Sequence, residues 1–321
     1  MAASIGRDVA RAAEILRQGG LVAFPTETVY GLGAHALNPT AVARVFEAKG
    51  RPWFDPLIVH IADRSQVATL ATDFPPVAIK LADRFWPGPL SLVVPKTPQV
   101  PDLVTSGLPD VAVRCPDHPI ARELLRESGL PLAGPSANLF GRISPTTAEH
   151  VAEQLGDRVD YILDGGPCRV GVESTVLHIT PEGVRLLRPG GVPLEDIERL
   201  IGPVLRPQTS ETEAQPQAGP GMLLQHYAPR TPLVIDGNVA DLAQGRRVGV
   251  LAFRAPQDVP DGVALEVLSP IGDLREAAAG FFAALRRLDA QQLDLLIGES
   301  FPEEGLGRAL NDRLKRAASK S

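Results

Sequence analysis

Two hydrophobic rhythms, one of helical and one of strand period, alternate along most of this chain. Residues 9–18 carry apolar positions at helical spacing, Gly19-Gly20 stop the run, and the apolar stretch 21–24 that follows reads as a strand. A second helix is predicted over 40–49, with Asn38-Pro39-Thr40 as its start signal and Gly50 as its end, and a strand over 57–61. Further along, the pattern predicts helices over 65–71, 77–85, 119–128 and 147–156, and strands over 90–94, 111–114, 132–134, 161–164, 174–179 and 185–188. Because helices and strands interleave irregularly, the expectation is an α/β domain with a mixed sheet, not a regular doubly wound one.

The rhythm breaks between 203 and 232. Pro, Gln, Thr, Glu and Gly there leave no apolar period, which predicts a linker. Beyond it, strands over 233–235, 247–253 and 265–268 and helices over 273–288 and 304–318 predict a second, smaller α/β domain. The expected organisation is a main domain at 1–202, a linker at 203–232 and a C-terminal domain at 233–321.

Composition narrows the class without changing that layout. The 321 residues are 44% hydrophobic and 22% charged, the balance of an ordinary globular protein and not of a disordered one. Net charge is −6, split as −4 over residues 1–200 (19 Lys and Arg against 23 Asp and Glu) and −2 over 201–321 (13 against 15). Neither part has the clustered positive charge of a dedicated nucleic-acid binder. The two cysteines, Cys115 and Cys168, offer no metal-ligand spacing, so no metal site in the protein is expected. The N-terminus lacks an apolar signal core, and no run approaches the roughly 18 apolar residues of a membrane span. A cytoplasmic chain with no membrane partner is the expectation.

Candidate chemistry gathers at predicted strand ends. Pro25-Thr26-Glu27-Thr28 follows the first strand with two hydroxyls and a carboxylate, although a capped turn explains that segment equally well by itself. Lys49-Gly50-Arg51 closes a helix, where cations meet the dipole, yet a Gly-Arg-Pro turn also holds a guanidinium stiffly enough to grip phosphate or carboxylate. His60 faces away from Val59 and Ile61 on its strand. Arg114 and Arg188 each end an apolar strand, Ser174 precedes another, and the loop around Gly134, Ser136, Asn138 and Ser144 offers small polar groups and backbone amides to an anion. Each cluster is weak alone; together they point to a site for a small charged molecule. The chain has no Gly-x4-Gly-Lys-Ser/Thr loop, no complete Gly-x-Gly-x-x-Gly fingerprint and no His-Glu-x-x-His helix, so a nucleotide would be held by a less common architecture.

The ordered motifs Pro-Thr-Glu-Thr-Val-Tyr-Gly-Leu-Gly (25–33), Lys-Gly-Arg-Pro (49–52), Pro-Leu-Ile-Val-His-Ile (56–61), Phe-Trp-Pro-Gly-Pro-Leu (85–90), Val-Ala-Val-Arg (111–114), Pro-Ser-Ala-Asn (135–138), Glu-Ser-Thr-Val (173–176) and Leu-Arg-Pro-Gly (187–190) recur in one known family. With Pro-Gly-Met (220–222) and His-Tyr-Ala-Pro (226–229), the chain resembles the YrdC-like family in its long, two-domain form over nearly its whole length. The resemblance implies a YrdC-like mixed, twisted sheet with helices and a smaller C-terminal α/β domain, Rossmann-like in kind. It implies a nucleotidyltransferase reaction in which L-threonine, bicarbonate and ATP give L-threonylcarbamoyladenylate and pyrophosphate, for the threonylcarbamoyladenosine modification of tRNA.

By position, the resemblance places Thr28, His60, Arg114, Gly134 and Ser174 on the threonine side of the site. It places Arg51, Asp55, Ser136, Asn138, Ser144, Arg188 and Tyr227 on the ATP side, with Lys49 and Arg51 as the catalytic cations at the phosphates. ATP is then a substrate, accompanied by Mg2+, and the partners are a downstream tRNA threonylcarbamoyl transferase machinery and, weakly, tRNA. Residues 203–232, carrying His226 and Tyr227, are expected to close the site as a lid. Three places depart from the family pattern: Asp110 stands where Thr is frequent, His178 where Asp is common, and in the linker Leu223-Leu224-Gln225 replace the more usual basic and aromatic residues. The alternative is an RNA-binding module without ATP turnover, against which the acidic balance of both parts speaks.

Overall fold

Capping side chains mark the starts of the first two helices. In the computed structural model, which describes residues 3–206 and 226–319, β1 (Ser4–Gly6) leads into α1 (Val9–Arg17), whose first turn is capped by the Asp8 carboxylate accepting from the Arg11 amide. β2 (Val22–Phe24) and β3 (Gly31–His35) flank the polar turn at 25–30. α2 (Pro39–Lys49) starts on Asn38, whose side chain accepts from the Thr40 and Ala41 amides, and stops at Gly50 in the left-handed conformation. The elements that follow are β4 (Ile58–His60), a 3-10 turn (Arg64–Gln66) continuing into α3 (Val67–Leu70), α4 (Pro76–Phe85), β5 (Leu90–Pro95), α5 (Asp102–Thr105) and β6 (Asp110–Arg114). Then come α6 (Pro119–Ser128), β7 (Leu132–Ala133), α7 (Ala148–Leu155), β8 (Tyr161–Leu163), β9 (Thr175–Thr180), β10 (Gly183–Arg188) and α8 (Leu194–Ile201).

These strands form one mixed sheet in the order β1-β8-β2-β3-β7-β4-β6-β5-β9-β10. Strand alternation gives its centre two characters. Val59, Leu92, Val113 and Leu177 point one way, into the main apolar core. Ile58, Val93, Ala112 and Val176 point the other way and make a small apolar patch with Leu187. His60 and Arg114 lie on that second face, as Cα partners in the parallel β4–β6 pair. The functional groups therefore border a sheet face as well as strand tips, which strand-end reasoning alone does not capture.

The C-terminal unit is a parallel sheet in the order β11-β14-β12-β13, built from β11 (Leu233–Ile235), α9 (Val239–Leu242), β12 (Val248–Ala252), β13 (Ala264–Val267), α10 (Leu274–Asp289), β14 (Leu295–Gly298) and α11 (Gly307–Ala318). Its core does not stop at its own boundary. Phe281, Phe282 and Leu285 of α10 share a buried cluster with Val29, Ile143, Val172 and Tyr227. At the joint, Gly171 has φ +76°, and a Cβ there would lie 2.1 Å from the Ala278 carbonyl oxygen of α10. Only glycine permits that backbone approach.

Six elements exceed the sequence reading: β1, β3, α5, α8, α9 and β14. The expected linker at 203–232 is tied down at both described ends. Leu205 donates to the Val184 carbonyl and accepts from the Leu186 amide, and the Ala228 amide donates to Gly141. The Arg230 and Thr231 amides both donate to the Asp289 carboxylate. Residues 207–225, including Pro220-Gly221-Met222, lie outside the described residues. Among the described residues, no helix is long and apolar enough to cross a membrane.

Candidate active site

The second face of the sheet opens into a cleft. Of the residues expected from sequence, Thr28, Arg51, His60, Arg114, Gly134, Ser136, Ser174, Arg188 and Tyr227 line it. Lys49, Asp55, Asn138 and Ser144 stand behind the wall. All of them are buried apart from the half-buried Ser136.

Around Arg114 the balance of charge is local. Its guanidinium pairs with the Glu27 carboxylate at 2.7 Å, both side chains being almost fully buried, and its Nε donates to the Gly88 carbonyl at 3.3 Å. Thr28 is held by its hydroxyl contact with Thr26 at 2.8 Å, and Thr26 in turn donates to the Val29 carbonyl. His60 packs edge-on to Phe24. Burial, then the nearby Arg114 charge, pushes the imidazole down to about 3, so it is neutral at physiological pH. Its Nδ1 is buried and has no hydrogen-bond partner among the described residues. A Cβ at Gly134 would come within 2.9 Å of that Nδ1, so glycine keeps the ring in place.

Arg51 and Arg188 are each anchored by carbonyls. Arg51 Nε and Nη2 donate to the Asp55 and Pro56 carbonyls at 3.0 and 2.9 Å, and Nη2 meets the Asp55 carboxylate at 2.9 Å. Arg188 donates from Nε and Nη2 to the Ser174 carbonyl and from Nη2 to the Ser174 hydroxyl, which also contacts Ser91. Lys49 turns its ammonium to the Ser136 and Asn138 carbonyls at 2.5 and 2.6 Å, bracing the loop at 136–138. Burial, then Arg51, pushes its pKa well below the ordinary lysine value. Asn138 donates to the Leu139 and Arg142 carbonyls and stiffens the same loop.

Tyr227 completes the wall. It adopts φ +65°, a conformation uncommon outside glycine, with its ring against His226 and Phe282. Its buried hydroxyl has no hydrogen-bond partner among the described residues. Burial, then Arg51, Lys49 and Arg188, pushes His226 well below the usual imidazole range.

Sequence reasoning gave the Glu27 carboxylate no partner and passed over two groups here, Glu173 and Arg313. Glu173 lines the cleft, accepts from the Ser144 hydroxyl at 2.6 Å and from Arg313 Nε at 2.7 Å. Both glutamates lie inside quoted motifs, but a search for anion-binding groups looks for cations. Arg313 sits in a basic helix with no local mark. Two of the departures from the family pattern explain each other: His178 Nε2 and Asp110 Oδ2 lie 3.0 Å apart, toward the end of the sheet away from Arg114, while the third, at 223–225, lies outside the described residues. Neither lines the cleft.

Comparison with known proteins follows the same residues. Residues 14–190 match the Sua5, YciO and YrdC family, described as "Telomere recombination", and residues 192–319 match the family described as "Threonylcarbamoyl-AMP synthase, C-terminal domain". The chain is 48% identical over 320 residues to a threonylcarbamoyl-AMP synthase of Bacillus subtilis, covering 97% of this chain and 92% of that one. It is 44% identical over 321 residues to the threonylcarbamoyl-AMP synthase of Pyrococcus abyssi, covering 96% and 93%. The crystal structure of P. abyssi Sua5 complexed with L-threonine superposes with a TM-score of 0.91 at 43% identity, covering 99% of this chain and 98% of that one.

Proposed function

Because this chain belongs to the Sua5, YciO and YrdC family and carries a threonylcarbamoyl-AMP synthase C-terminal domain, we propose that its cleft joins L-threonine, bicarbonate and ATP. The products are L-threonylcarbamoyladenylate and pyrophosphate, in a nucleotidyl transfer that serves threonylcarbamoyladenosine in tRNA. The observation that carries this reading is the buried convergence of Arg51, Arg114 and Arg188 on one cleft, beside Thr28 and a neutral His60.

Two bonds must form. The threonine amine attacks the bicarbonate carbon, giving a carbamate and releasing water; a carbamate oxygen then attacks the α-phosphorus as its bond to the bridging oxygen of pyrophosphate breaks. Neither step needs a covalent enzyme nucleophile, since positioning and charge neutralisation suffice for such transfers. Arg114 suits the threonine carboxylate, with Thr28, Ser174 and the neutral His60 for its polar groups and Gly134 leaving room. Arg51 and Arg188 suit the phosphates. Ser136 and Tyr227 border the nucleotide, while Lys49, Asp55, Asn138 and Ser144 hold the walls that present these groups, so Lys49 acts on the phosphates chiefly through the loop it braces.

Mg2+ is tested by the carboxylates present. Glu27, Asp55 and Glu173 are each paired with an arginine, and no cluster of three or more metal-binding side chains occurs among the described residues. These residues do not fit a protein-held Mg2+ site, so the ion is assigned to the ATP phosphates. Two buried free cysteines and ATP consumption support a cytoplasmic setting, with delivery of the adenylate to a tRNA threonylcarbamoyl transferase machinery. The test is pyrophosphate release from ATP with threonine and bicarbonate omitted in turn. Release should require both, and release indifferent to threonine would overturn the reading.

A further inference from the structure

One charged residue of the C-terminal unit reaches the wall of the cleft. Arg313 of α11 is fully buried. Its Nε donates to Glu173 Oε2 at 2.7 Å, its Nη2 donates to the Pro189 carbonyl at 3.1 Å, and its guanidinium lies 5.1 Å from the centre of the Tyr227 ring. Asp312, the fourth partner, is shared with Arg316. Arg313 thus touches the cleft carboxylate, the turn after Arg188 and the tyrosine of the wall.

The chemistry of the cleft makes that arrangement informative. A site for a triphosphate and an amino-acid carboxylate gains nothing from a carboxylate in its own wall. Left alone, Glu173 would repel the ligand and compete with it for Arg188. Burial pushes the Glu173 carboxyl up, but Arg313 and then Arg188 outweigh it and hold it below its ordinary value, so Glu173 feels both guanidiniums. Ser144 occupies its other oxygen.

We propose that Arg313 is a positioning residue for ATP binding: it neutralises Glu173 and props Tyr227 from the C-terminal unit, leaving the field of Arg188 to the phosphates. The C-terminal unit then supplies part of the active site's charge balance and does not merely dock against it. This inference rests on the reading of the cleft as an ATP site.

The experiment compares Arg313→Gln, Glu173→Gln and the double variant with the wild-type chain, measuring Kd for ATP and for L-threonine separately by calorimetry. Arg313→Gln should weaken ATP about tenfold or more, as expected for an unpaired buried charge beside an anion, and change threonine by less than about threefold. Glu173→Gln alone, and the double variant, should bind ATP within about threefold of wild type, because removing the carboxylate removes the need for its partner. A purely structural arginine could be rescued in the same way, but its loss would weaken threonine and ATP together. Overturning results are a double variant as weak for ATP as Arg313→Gln, a Glu173→Gln chain equally weak, or an Arg313→Gln chain that binds ATP normally. If Arg313→Gln does not fold, the double variant decides alone: near-normal ATP binding upholds the inference, and weak binding or failure to fold overturns it. A wild-type chain that binds no ATP would sink the reading of the cleft and this inference with it, whereas normal wild-type binding with unaffected variants sinks the inference only.

Discussion

The two proposed sides of the cleft are balanced in different ways. On the threonine side, Arg114 is answered by Glu27 within the same sheet unit, and Thr28, His60, Gly134 and Ser174 come from neighbouring strands and turns. On the nucleotide side, Arg51 and Arg188 are anchored locally, yet Glu173 is answered by Arg313, 140 residues away in the last helix, and Tyr227 closes the wall from the segment between the units. A charge balanced within one sheet depends on that sheet's folding alone. One balanced across two units depends also on how they dock.

The sharpest break of this comparison is Arg114→Met. It leaves Glu27 buried without its cation, which should cost about 3–5 kcal/mol of stability, seen as a lower denaturation midpoint, together with at least about a hundredfold loss in threonine affinity. ATP affinity should suffer far less; an equal loss of both ligands would show that the two sides are not separate. Next in size is Arg188→Gln, expected to weaken ATP by about 10- to 100-fold, from roughly 1.5–3 kcal/mol of charge-assisted bonding, while calorimetry finds threonine binding nearly unchanged.

Acid titration sharpens the comparison from another direction. The folded protein holds His60 at about 3, whereas its ordinary value is 6.5. An unfolded chain therefore takes up a proton over that window that the folded chain refuses, and stability should fall as pH drops from about 6.5 toward 3. Denaturation series should show a shallower acid loss in His60→Gln, and the wild-type pH–rate profile should show no inflection from His60 between about pH 6 and 8. The smallest effect belongs to the far end of β6. Restoring the family pattern there, with Asp110→Thr and His178→Asp together, should shift stability by no more than about 1 kcal/mol, since the pair is partly exposed. Pyrophosphate release should not change, and a large loss would mean that this end of the sheet communicates with the cleft.

Much of the layout was legible because it is written in local chemistry. The Asn38 and Gly50 caps bracket α2 in sequence as they do in space, and the apolar runs that became β4, β5, β6 and β9 were each recognisable. β3 was missed because the glycines at 31 and 33 leave one face of its alternation without side chains, and β14 because Leu295–Gly298 is a short apolar run no different in pattern from a loop's anchor. The cations of the site stood out at strand ends, helped by their motif context. Glu173 and Arg313 did not, and the Glu27 carboxylate stood without its partner, because a buried ion pair is a property of two distant segments brought together, and neither segment records its partner.

The buried cluster that runs from Phe281 and Phe282 into Val29, Ile143 and Val172 also bears on how this enzyme can be cut or recombined. A chain ending after Ile201 would present those three side chains to water as an adhesive spot, so the expected outcome is association of the fragment with itself. Polar replacements at the three positions are the natural cure, and a transplanted C-terminal unit would have to bring a matching apolar face and a counterpart of Arg313 before it could serve as a spare part.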